Sequence, residues 1–387
     1  MQEYDYIIAG AGAAGLQLAY AMSKDPFFTS KKILLLNDTP KDKNDRTWCF
    51  WEEGEGLFND IVYQSWGKAL FTSETYTQSI ALKPYRYKMV KGIDFYRRVL
   101  ANLIQHSSFT IAYEKVVEIK EHHDYVKVTT VLKEYKASKV LSSIFNAKDL
   151  LNQKKYPVLQ QHFIGWFVET ANAIFNPDEV TFMDFRIPQN GNTRFMYVLP
   201  FSDQKALVEY TLFSEKLLPE KEYETAIENY LNARNAGNFK ITDTESGSIP
   251  MTAFDFTKEN TSRFLKIGIA GGWTKASTGY TFKSTQENVL KLIPLLKSGK
   301  SFKNFGKPNR FMLYDAILLD ILHRKNHLGA AIFSKLFKNN KPLFIFKFLD
   351  NKTHILEELS IMLSVADFQF TKAFFRRIFR VLRRSDN

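Results

Sequence analysis

Tyr4-Asp5-Tyr6-Ile7-Ile8-Ala9-Gly10-Ala11-Gly12-Ala13-Ala14-Gly15 is the stretch that decides the fold of this 387-residue chain. The run that ends at Ala9 favours a β-strand, and the Ala- and Leu-rich run Leu16–Met22 favours a helix. A glycine turn between strand and helix is the fingerprint of a dinucleotide-binding unit, whose pyrophosphate meets the helix N-terminus. In such a unit the first glycine allows the tight turn, the second the approach of the phosphates and the third close packing of helix on strand. We therefore predict cofactor contacts from Gly10, Gly12, Ala13, Ala14 and Gly15.

A second predicted strand, Lys32–Leu36, is followed by Asn37 and Asp38. In dinucleotide-binding units an acidic residue at the end of this strand bonds the ribose hydroxyls of the adenosine. Either Asp38 does this one residue late, or Asn37 does it as a neutral partner. The sequence leaves that choice open.

Later segments indicate that the cofactor domain is discontinuous. Strand-like runs return at Val116–Ile119 and Lys139–Ile144, and Phe264–Gly272 leads into a second glycine turn before a helix near Thr281. A second turn of this kind closes over the flavin in large flavoproteins, so the pattern favours FAD over NAD. The remaining predicted cofactor contacts are Asn37, Asp38, Arg46, Val117, Gly271, Gly272, Thr278, Gly279 and Tyr280.

The expected fold class is α/β, with a Rossmann-like FAD-binding domain, an inserted mixed-sheet substrate domain and a helical C-terminal region. Alternating apolar and polar residues predict the strands of the inserted domain. The predicted bounds are 1–75, 90–150 and 255–300 for the FAD-binding domain, 76–89 and 151–254 for the substrate domain, and 301–387 for the helical region.

Composition excludes several classes of protein. The chain has 53 Lys and Arg against 41 Asp and Glu, a net charge of +12, and its 45% hydrophobic content is that of a globular protein. No uncharged apolar run reaches the ~18 residues of a transmembrane helix, and we expect no secretory signal. Cys49 is the single cysteine, which excludes a disulfide framework and a multi-cysteine zinc site and fits a reducing cytoplasm. The histidine spacing predicts no metal site.

Aromatic residues make up 15% of the chain, as either a Phe-rich core or the wall of a long apolar cavity. Two glutamates lie inside apolar strand patterns, Glu169 in Trp166–Thr170 and Glu209 in Ala206–Thr211. Alternation alone would place both on a solvent-facing side. If either faces a dry cavity instead, desolvation raises its pKa and keeps the carboxyl protonated near neutral pH, as a proton donor.

The last segment, Thr371–Asn387, is predicted to be a basic helix with an aromatic side. Helical spacing gathers its apolar residues on one side: Phe374, Phe375, Ile378, Phe379 and Leu382. Its cations fall around the rest: Lys372, Arg376, Arg377, Arg380, Arg383 and Arg384. This pattern favours an anionic membrane surface. The alternatives are docking of the apolar side on the protein's own core, or nucleic-acid binding, for which no motif is present.

Several segments together resemble the flavin-dependent lycopene cyclases of bacteria and plants, nearly end to end. They are Asp5–Gly15, Asp45–Trp51, Met183–Asp184, Arg194–Ser202, Leu207–Thr211 and Gly271–Tyr280. The acidic motif of that family has a glutamate a few residues after a Met-Tyr-x-x-Pro-Phe-Ser segment, and Glu209 falls on it. Three departures from the family pattern are Tyr210 for a second carboxylate, Lys275-Ala276 for His-Pro and Asn37 for the ribose carboxylate.

The resemblance implies an acid-catalysed cyclisation without net redox change. A proton added to C2 of an acyclic end of lycopene leaves positive charge at C1, ring closure moves the charge to C5, and loss of the C6 proton gives a β-ionone ring. Two such closures give γ-carotene and then β-carotene. Glu209 would be the general acid, and Glu169 a second acid/base or a positioning residue. Reduced FAD would stabilise the carbocation, with NADPH or NADH as reductant.

The resemblance also implies a cytoplasmic enzyme that associates peripherally with an anionic membrane, because lycopene dissolves only in lipid. The expected partners are lycopene and other carotenoid substrates, the membrane surface and other carotenoid-biosynthesis enzymes, but no nucleic acid. Two other functions stay open. One is an FAD-dependent monooxygenase or isoprenoid reductase of the same fold, and the other is a flavin-carrying binding protein that docks on membranes or RNA through its C-terminus.

Overall fold

The computed structural model describes residues 1–147, 150, 152–366 and 368–382. The strands are β1 (Gln2–Ala9), β2 (Ile33–Asn37), β3 (Thr47–Glu53), β4 (Val62–Trp66), β5 (Lys68–Thr72), β6 (Thr77–Ala81), β7 (Tyr85–Lys91), β8 (Phe109–Tyr113), β9 (Val116–Glu121), β10 (Val126–Thr130), β11 (Glu134–Ser142), β12 (Leu159–Thr170), β13 (Glu179–Asp184), β14 (Thr193–Pro200), β15 (Lys205–Ser214), β16 (Phe239–Met251) and β17 (Phe264–Lys266). The α-helices are α1 (Ala13–Ser23), α2 (Gly92–Leu103), α3 (Glu220–Asn232), α4 (Phe282–Lys297), α5 (Arg310–Arg324), α6 (Gly329–Asn339), α7 (Pro342–Leu349), α8 (Ile355–Val365) and α9 (Phe368–Leu382).

The first sheet carries the glycine fingerprint. Its order is β8-β2-β1-β11-β10-β9, and β17 pairs in parallel with the end of β11. The strands β8, β2, β1 and β11 run parallel, whereas β9 and β10 complete an antiparallel meander with β11. Helices α1 and α4 cover one face of this sheet and the meander packs against the other. Because both faces are covered, β1 and β2 read as almost continuous apolar runs.

The second sheet has the order β16-β12-β15-β14-β13-β5-β6, antiparallel except where β13 meets β5. Helix α3 packs against one face, where Val208, Tyr210 and Leu212 meet Tyr223 and Ile227. The other face lies against α6 and α7. A smaller sheet, β3-β7-β4, brings aromatic residues of β3 to the same core. A functional cavity is therefore expected between the covered faces of the sheets.

The architecture confirms the predicted α/β fold class with a helical C-terminal region, but two strands differ from the predicted domain bounds. Strand β5 falls inside the predicted segment 1–75 and yet pairs in the second sheet, where Lys68 lies opposite Glu179. Strand β7 begins inside 76–89 and pairs instead with β3 and β4. Partners this distant along the chain leave no trace in a local alternation pattern.

The described part of the C-terminal helix α9 packs against α5. Ala373 is buried in a cluster with Ile317 and Ile321, and Phe374 lies against that cluster. The guanidinium groups of Arg376 and Arg377 both bond the buried Asp320 carboxylate. This half of the predicted membrane helix therefore uses Phe374 and two of its cations inside the protein, whereas Phe375 is 53% exposed.

The rest of that prediction lies outside the described residues: it concerns 383–387, with Arg383 and Arg384, and the side chains of Ile378, Phe379, Arg380 and Leu382. In the part of the chain that the structure describes, no helix combines the length and apolarity needed to cross a bilayer.

Candidate active site

The glycine fingerprint forms a turn between β1 and α1. Gly10 has a φ of +103°, which an L side chain rarely adopts, and a Cβ there would strike the Ser143 hydroxyl. A Cβ at Gly15 would fall on the Gly10 carbonyl oxygen, so the third glycine is needed for the close approach of helix and turn. These two glycines shape the turn, and neither lines the cavity beside it.

Gly12, Ala13 and Ala14 do line that cavity. Gly12 is the N-cap of α1 without a side-chain cap, and a Cβ on it would meet no protein atom within 4 Å. The first amides of α1 thus stand beside open space, the arrangement that holds a dinucleotide pyrophosphate. The cradle fits FAD in this respect.

The predicted ribose position is occupied by Asn37, whose two polar groups serve the turn. Its Oδ1 accepts from the Ala11 amide at 2.8 Å, and its Nδ2 donates to the Thr39 carbonyl at 2.6 Å. Asp38 is exposed beside it. The structure therefore gives Asn37 a role in holding the fingerprint turn and leaves Asp38 the freer of the two.

Other predicted cofactor residues divide between the two sides of the second glycine turn. Thr278, Gly279 and Tyr280 line the same cavity as the cradle, together with Arg46. Gly271 and Gly272 instead line a second cavity. Two residues that the sequence analysis missed, Gly268 and Ile269, face the first cavity from this turn. Gly268 has a φ of +62°, and a Cβ there would crowd Ala14, so the turn lies directly on the cradle.

Val117 lies apart from these residues. It is on β9, the edge strand of the first sheet, and is 57% exposed. It does not line either cavity described here. The edge position explains why a strand-like sequence in the cofactor domain does not bring this residue to the cofactor end.

The cavity continues from the cradle along the covered face of the second sheet. One row of register partners crosses four strands there: Tyr197 on β14, Glu209 on β15, Gly165 on β12 and Glu245 on β16. Tyr197, Glu209 and Glu245 line the cavity. Because partners in register point to the same face, their side chains project into one space. We call these four residues the cavity row.

Glu209 is 7% exposed and is the acid of this row. Burial and the nearby charge of Glu245 raise the pKa of its carboxyl to about 8, against a lowering hydrogen bond from Thr211. The Thr211 hydroxyl donates to Oε1 at 2.5 Å. A carboxyl with this pKa favours the neutral form at pH 7, and with Oε1 bonded to Thr211 the oxygen left to carry the proton is Oε2.

Aromatic groups surround that acid. The hydroxyls of Tyr87 and Tyr197 are 2.8 Å apart, and Tyr280 lies 3.4 Å from Tyr87. Burial raises the pKa of all three phenols, so they stay neutral. Beyond them the wall is apolar, with Phe182 from β13, Phe337 from α6 and Phe346 from α7 among its residues. Neutral aromatic faces in a site of this kind favour a cationic, hydrocarbon-like guest.

Glu169, the second predicted acid, is not in the cavity. It lies on the same face of β12 as Gly165 but four residues further along, where its side chain is 47% exposed and pairs with Lys205 at 3.2 Å. The condition for a protonated carboxyl, a dry environment, is not met there. Alternation alone placed Glu169 on a solvent-facing side, and its exposure agrees with that expectation. The same pattern could not show that Glu209 on β15 faces a cavity.

Tyr210, which replaces a second carboxylate in the acidic motif, points to the opposite face of β15. It packs in the α3 cluster, and its hydroxyl accepts from Arg194 at 3.0 Å. A carboxylate at this position would therefore not share the cavity with Glu209.

The second carboxylate of the cavity row is Glu245. Its Oε2 accepts from the Thr47 hydroxyl at 2.6 Å, and burial raises its pKa. The sequence analysis missed this residue. The sequence did offer one signal. Glu245, Gly247 and Ile249 alternate along one predicted strand, so they are expected to share a face of the sheet.

Two further resemblance segments have supporting contacts. Asp184 is fully buried and bonds Arg186, Arg234 and the Tyr230 hydroxyl, which fixes the end of β13. Lys275, at the position of the expected His-Pro, is buried and pairs with Asp315 at 2.9 Å, on the side of the second cavity. Neither group reaches the cavity row.

The fold and the cradle together define an α/β protein of the dinucleotide-binding flavoprotein class. Within that class, the sequence matches the family described as "Lycopene cyclase protein" over residues 5–377. The chain therefore belongs to the lycopene cyclase family. No curated protein matches its sequence.

Solved structures show the same fold at low sequence identity. A geranylgeranyl bacteriochlorophyll reductase-like protein from Thermoplasma acidophilum is 11% identical, with a TM-score of 0.57 and coverage of 100% of this chain and 99% of that one. Halogenase PltM in complex with phloroglucinol and FAD is 12% identical (TM-score 0.60, coverage 99% and 93%). p-Nitrophenol 4-monooxygenase PnpA from Pseudomonas putida is also 12% identical (TM-score 0.57, coverage 97% and 98%).

Proposed function

We propose that this protein is a lycopene β-cyclase, which closes the acyclic ends of lycopene into β-ionone rings by acid catalysis. The observation that carries the proposal is the neutral Glu209 carboxyl, buried in an aromatic cavity that is continuous with the dinucleotide-type cradle. An apolar polyene offers no basic atom, so only an acid already desolvated beside the double bond can protonate it.

In this proposal, the proton on Glu209 Oε2 passes to C2 of the substrate, and the hydrogen bond from Thr211 steadies the carboxylate left behind. The aromatic wall stabilises the positive charge at C1 and then C5, at on the order of 1–2 kcal/mol for each desolvated ring. The covered cavity keeps water from capturing the cation. Proton loss from C6 completes an isomerisation in which the substrate exchanges one proton and no electrons.

FAD is the proposed cofactor. Gly12, Ala13 and Ala14 would hold its pyrophosphate, and Arg46 with the segment 277–280 would flank the rest. Bound in its reduced form, FAD supplies negative charge near the carbocation, and NADPH or NADH is the proposed reductant. Stoichiometry tests this: a cyclase uses far less NADPH than the product it forms.

The proposed partner surface is an anionic membrane, and the structure favours α8 as the segment that meets it. Leu356 and Leu363 are 77% and 74% exposed, and Leu359 lies on the same helical face between them. The carboxylates of α8 are engaged, since Glu357 caps the helix and Glu358 is buried against Arg310. The outward face is therefore apolar without free negative charge.

Helix α8 also covers the two helices that wall the cavity. It packs on α6 and α7, whose inner residues Phe337 and Phe346 line the apolar end. The exposed Lys338 and Lys341 lie on α6 and at the start of α7. Each such lysine near an anionic surface contributes roughly 1 kcal/mol of attraction. A lipid-dissolved substrate would meet the protein on this side.

Flotation on phosphatidylglycerol vesicles tests that surface. The double substitution Leu356→Ser and Leu363→Ser should release the protein from vesicles, whereas Leu132→Ser, an equally exposed leucine in the turn after β10, should not. Equal release by both variants, or none, would refute the assignment to α8. Wild-type protein that binds phosphatidylglycerol vesicles but not phosphatidylcholine vesicles would show that the anionic charge is needed.

The reaction itself is tested by anaerobic incubation with FAD, NADPH and lycopene in deuterated water. A cyclic carotene with one deuterium per ring, formed with little NADPH use, is the expected result. NADPH consumption in step with a product of changed mass would place the protein instead with the monooxygenases or reductases that share its fold. Unchanged function after loss of Glu209 would point to a flavin-carrying binding protein.

A further inference from the structure

The cavity row contains two carboxylates, one on either side of a glycine. Glu209 and Glu245 are both register partners of Gly165, one on each side of β12. Two strand spacings separate their Cα atoms by roughly 10 Å, and both side chains line the cavity. A molecule bound in this part of the cavity therefore faces both acids.

The packing between the two acids depends on that glycine. A Cβ on Gly165 would press on Leu207 and approach the Cβ and Cγ atoms of Glu209 to 3.4 and 3.5 Å. A side chain in the middle of the row would therefore displace Leu207, which lines the same cavity. Both acids of the row face that one cavity.

The two groups hold different partners. Glu209 is the more deeply buried, and it accepts a hydrogen bond from Thr211. Burial raises the pKa of Glu245 as well, but there the Thr47 hydroxyl and the nearby Arg46 both act to lower it. Two carboxyl groups in one apolar space do not both ionise readily, so the pair holds one proton, on Glu209.

We propose that Glu245 is the proton acceptor of the cyclisation, so that Glu209 gives a proton to one side of the substrate end and Glu245 takes a proton from the other. The inference rests on the proposed function. In the new ring, C2 and C6 are both bonded to C1, so one bound end brings both atoms to the part of the cavity that Glu209 and Glu245 line.

The step balances as follows. The Glu209 proton forms the C2–H bond, the electron pair of the C5=C6 bond forms the C1–C6 bond, and the cation moves to C5. The C6–H bond then breaks, its electron pair restores C5=C6, and the proton goes to a carboxylate oxygen of Glu245. Glu209 ends ionised and Glu245 protonated, and proton exchange with water resets the pair.

The position of the new double bond reports the acceptor. A C5 cation that does not lose the C6 proton can lose one from C4 or from its methyl group, which gives ε- or γ-type rings. Glu245→Gln should therefore lower the rate about a hundredfold and raise the share of those rings among the residual products. Glu245→Asp, which keeps a carboxylate, should restore mainly β-rings.

The experiment uses the flavin-loaded protein with lycopene in vesicles, and products are separated by ring type. Asp243→Asn is the matched control, an exposed carboxylate two residues earlier on β16, and should leave rate and products unchanged. Wild-type protein without cyclic product would overturn the proposed function and this inference together. A cyclising wild type whose Glu245→Gln variant keeps the same ring composition would overturn the acceptor role alone, whatever its rate or flavin content.

Discussion

Replacing Glu209 by glutamine should abolish cyclisation and at the same time stabilise the protein. Glutamine keeps nearly the same volume and can still accept from Thr211, but it has no proton to give to a double bond. General acids contribute about 10²–10⁴-fold to rate, so a loss of about a thousandfold is expected. The gain in stability follows from the raised pKa of the carboxyl.

Its magnitude can be worked out from the pKa in the two states. The carboxyl has an ordinary pKa of 4.5 in the unfolded chain and about 8 in the folded one. Below pH 4.5 both the folded and the unfolded state hold the proton, so the carboxyl costs no stability there. Between pH 4.5 and about 8 the unfolded chain releases the proton while the folded protein keeps it, so the free energy of unfolding falls as the pH rises. At about 1.4 kcal/mol per pH unit, the free energy of unfolding has fallen by about 3 kcal/mol at pH 7. Glutamine does not titrate and avoids this loss.

Chemical unfolding at pH 4.5 and at pH 7 measures the effect, alongside cyclisation assays on the same preparations. The difference in unfolding free energy between Glu209→Gln and wild type should be near zero at the lower pH and about 3 kcal/mol at the higher. Glu228→Gln, an exposed glutamate on α3, should show no such trend. A difference that does not grow with pH, or retained turnover, would mean that Glu209 is ionised in the folded protein and is not the acid.

Three other predictions follow from the site. Thr211→Val removes the hydrogen bond that lowers the pKa of Glu209, so the alkaline fall in activity should move to higher pH; a shift downward would contradict the assigned proton. Gly12→Val should fold normally and purify without flavin, because its Cβ meets no protein atom, whereas Gly67→Val, where a Cβ would make only an ordinary contact of 3.5 Å with the Arg86 guanidinium, should keep its flavin colour. Glu169→Gln should leave cyclisation unchanged, since its carboxylate is exposed; a large loss would restore the role that the sequence suggested.

The cofactor end was predictable because its information is local. Strand, glycine turn and helix follow each other within Gln2–Ser23, and the contacts that require Gly10 and Gly15 are with atoms of β1, of the same turn and of Ser143, directly after β11. The position of Gly268 on the cradle was not predictable in this way. It depends on β17 returning to pair with β11 after the inserted domain.

The catalytic end was predictable only in part. The apolar pattern around Glu209 and its place in the acidic motif identified this residue, because a strand that is buried on both faces appears in the sequence as an almost continuous apolar run. Glu169 shares the same pattern but lies beyond the covered part of the sheet. Glu245 becomes a partner of Glu209 only through two antiparallel registers that meet at Gly165. Register is a tertiary property, and the strand pattern of β16 alone did not contain it.

The C-terminal helix shows the same limit for charge. Its composition predicts a cationic amphipathic surface, but the buried Asp320 on α5 draws Arg376 and Arg377 inward. Among the side chains that the structure describes, the more exposed apolar face belongs to α8, where Glu357 caps the helix and Glu358 pairs with Arg310. Asp320 and Arg310 both lie on α5, so the sequences of α9 and α8 alone could not predict these ion pairs.

The late return of β17 has a consequence for how the protein is made. Val140 pairs with Phe264, and the residues between them build most of the second sheet. At 5–20 residues per second, roughly ten seconds of synthesis separate the two strands. During that interval the end of β11 is an unpaired edge, and the turn that carries Gly268 has not yet been made. Truncated products that stop inside the insertion lack this turn, so they are expected to be flavin-free and prone to aggregate.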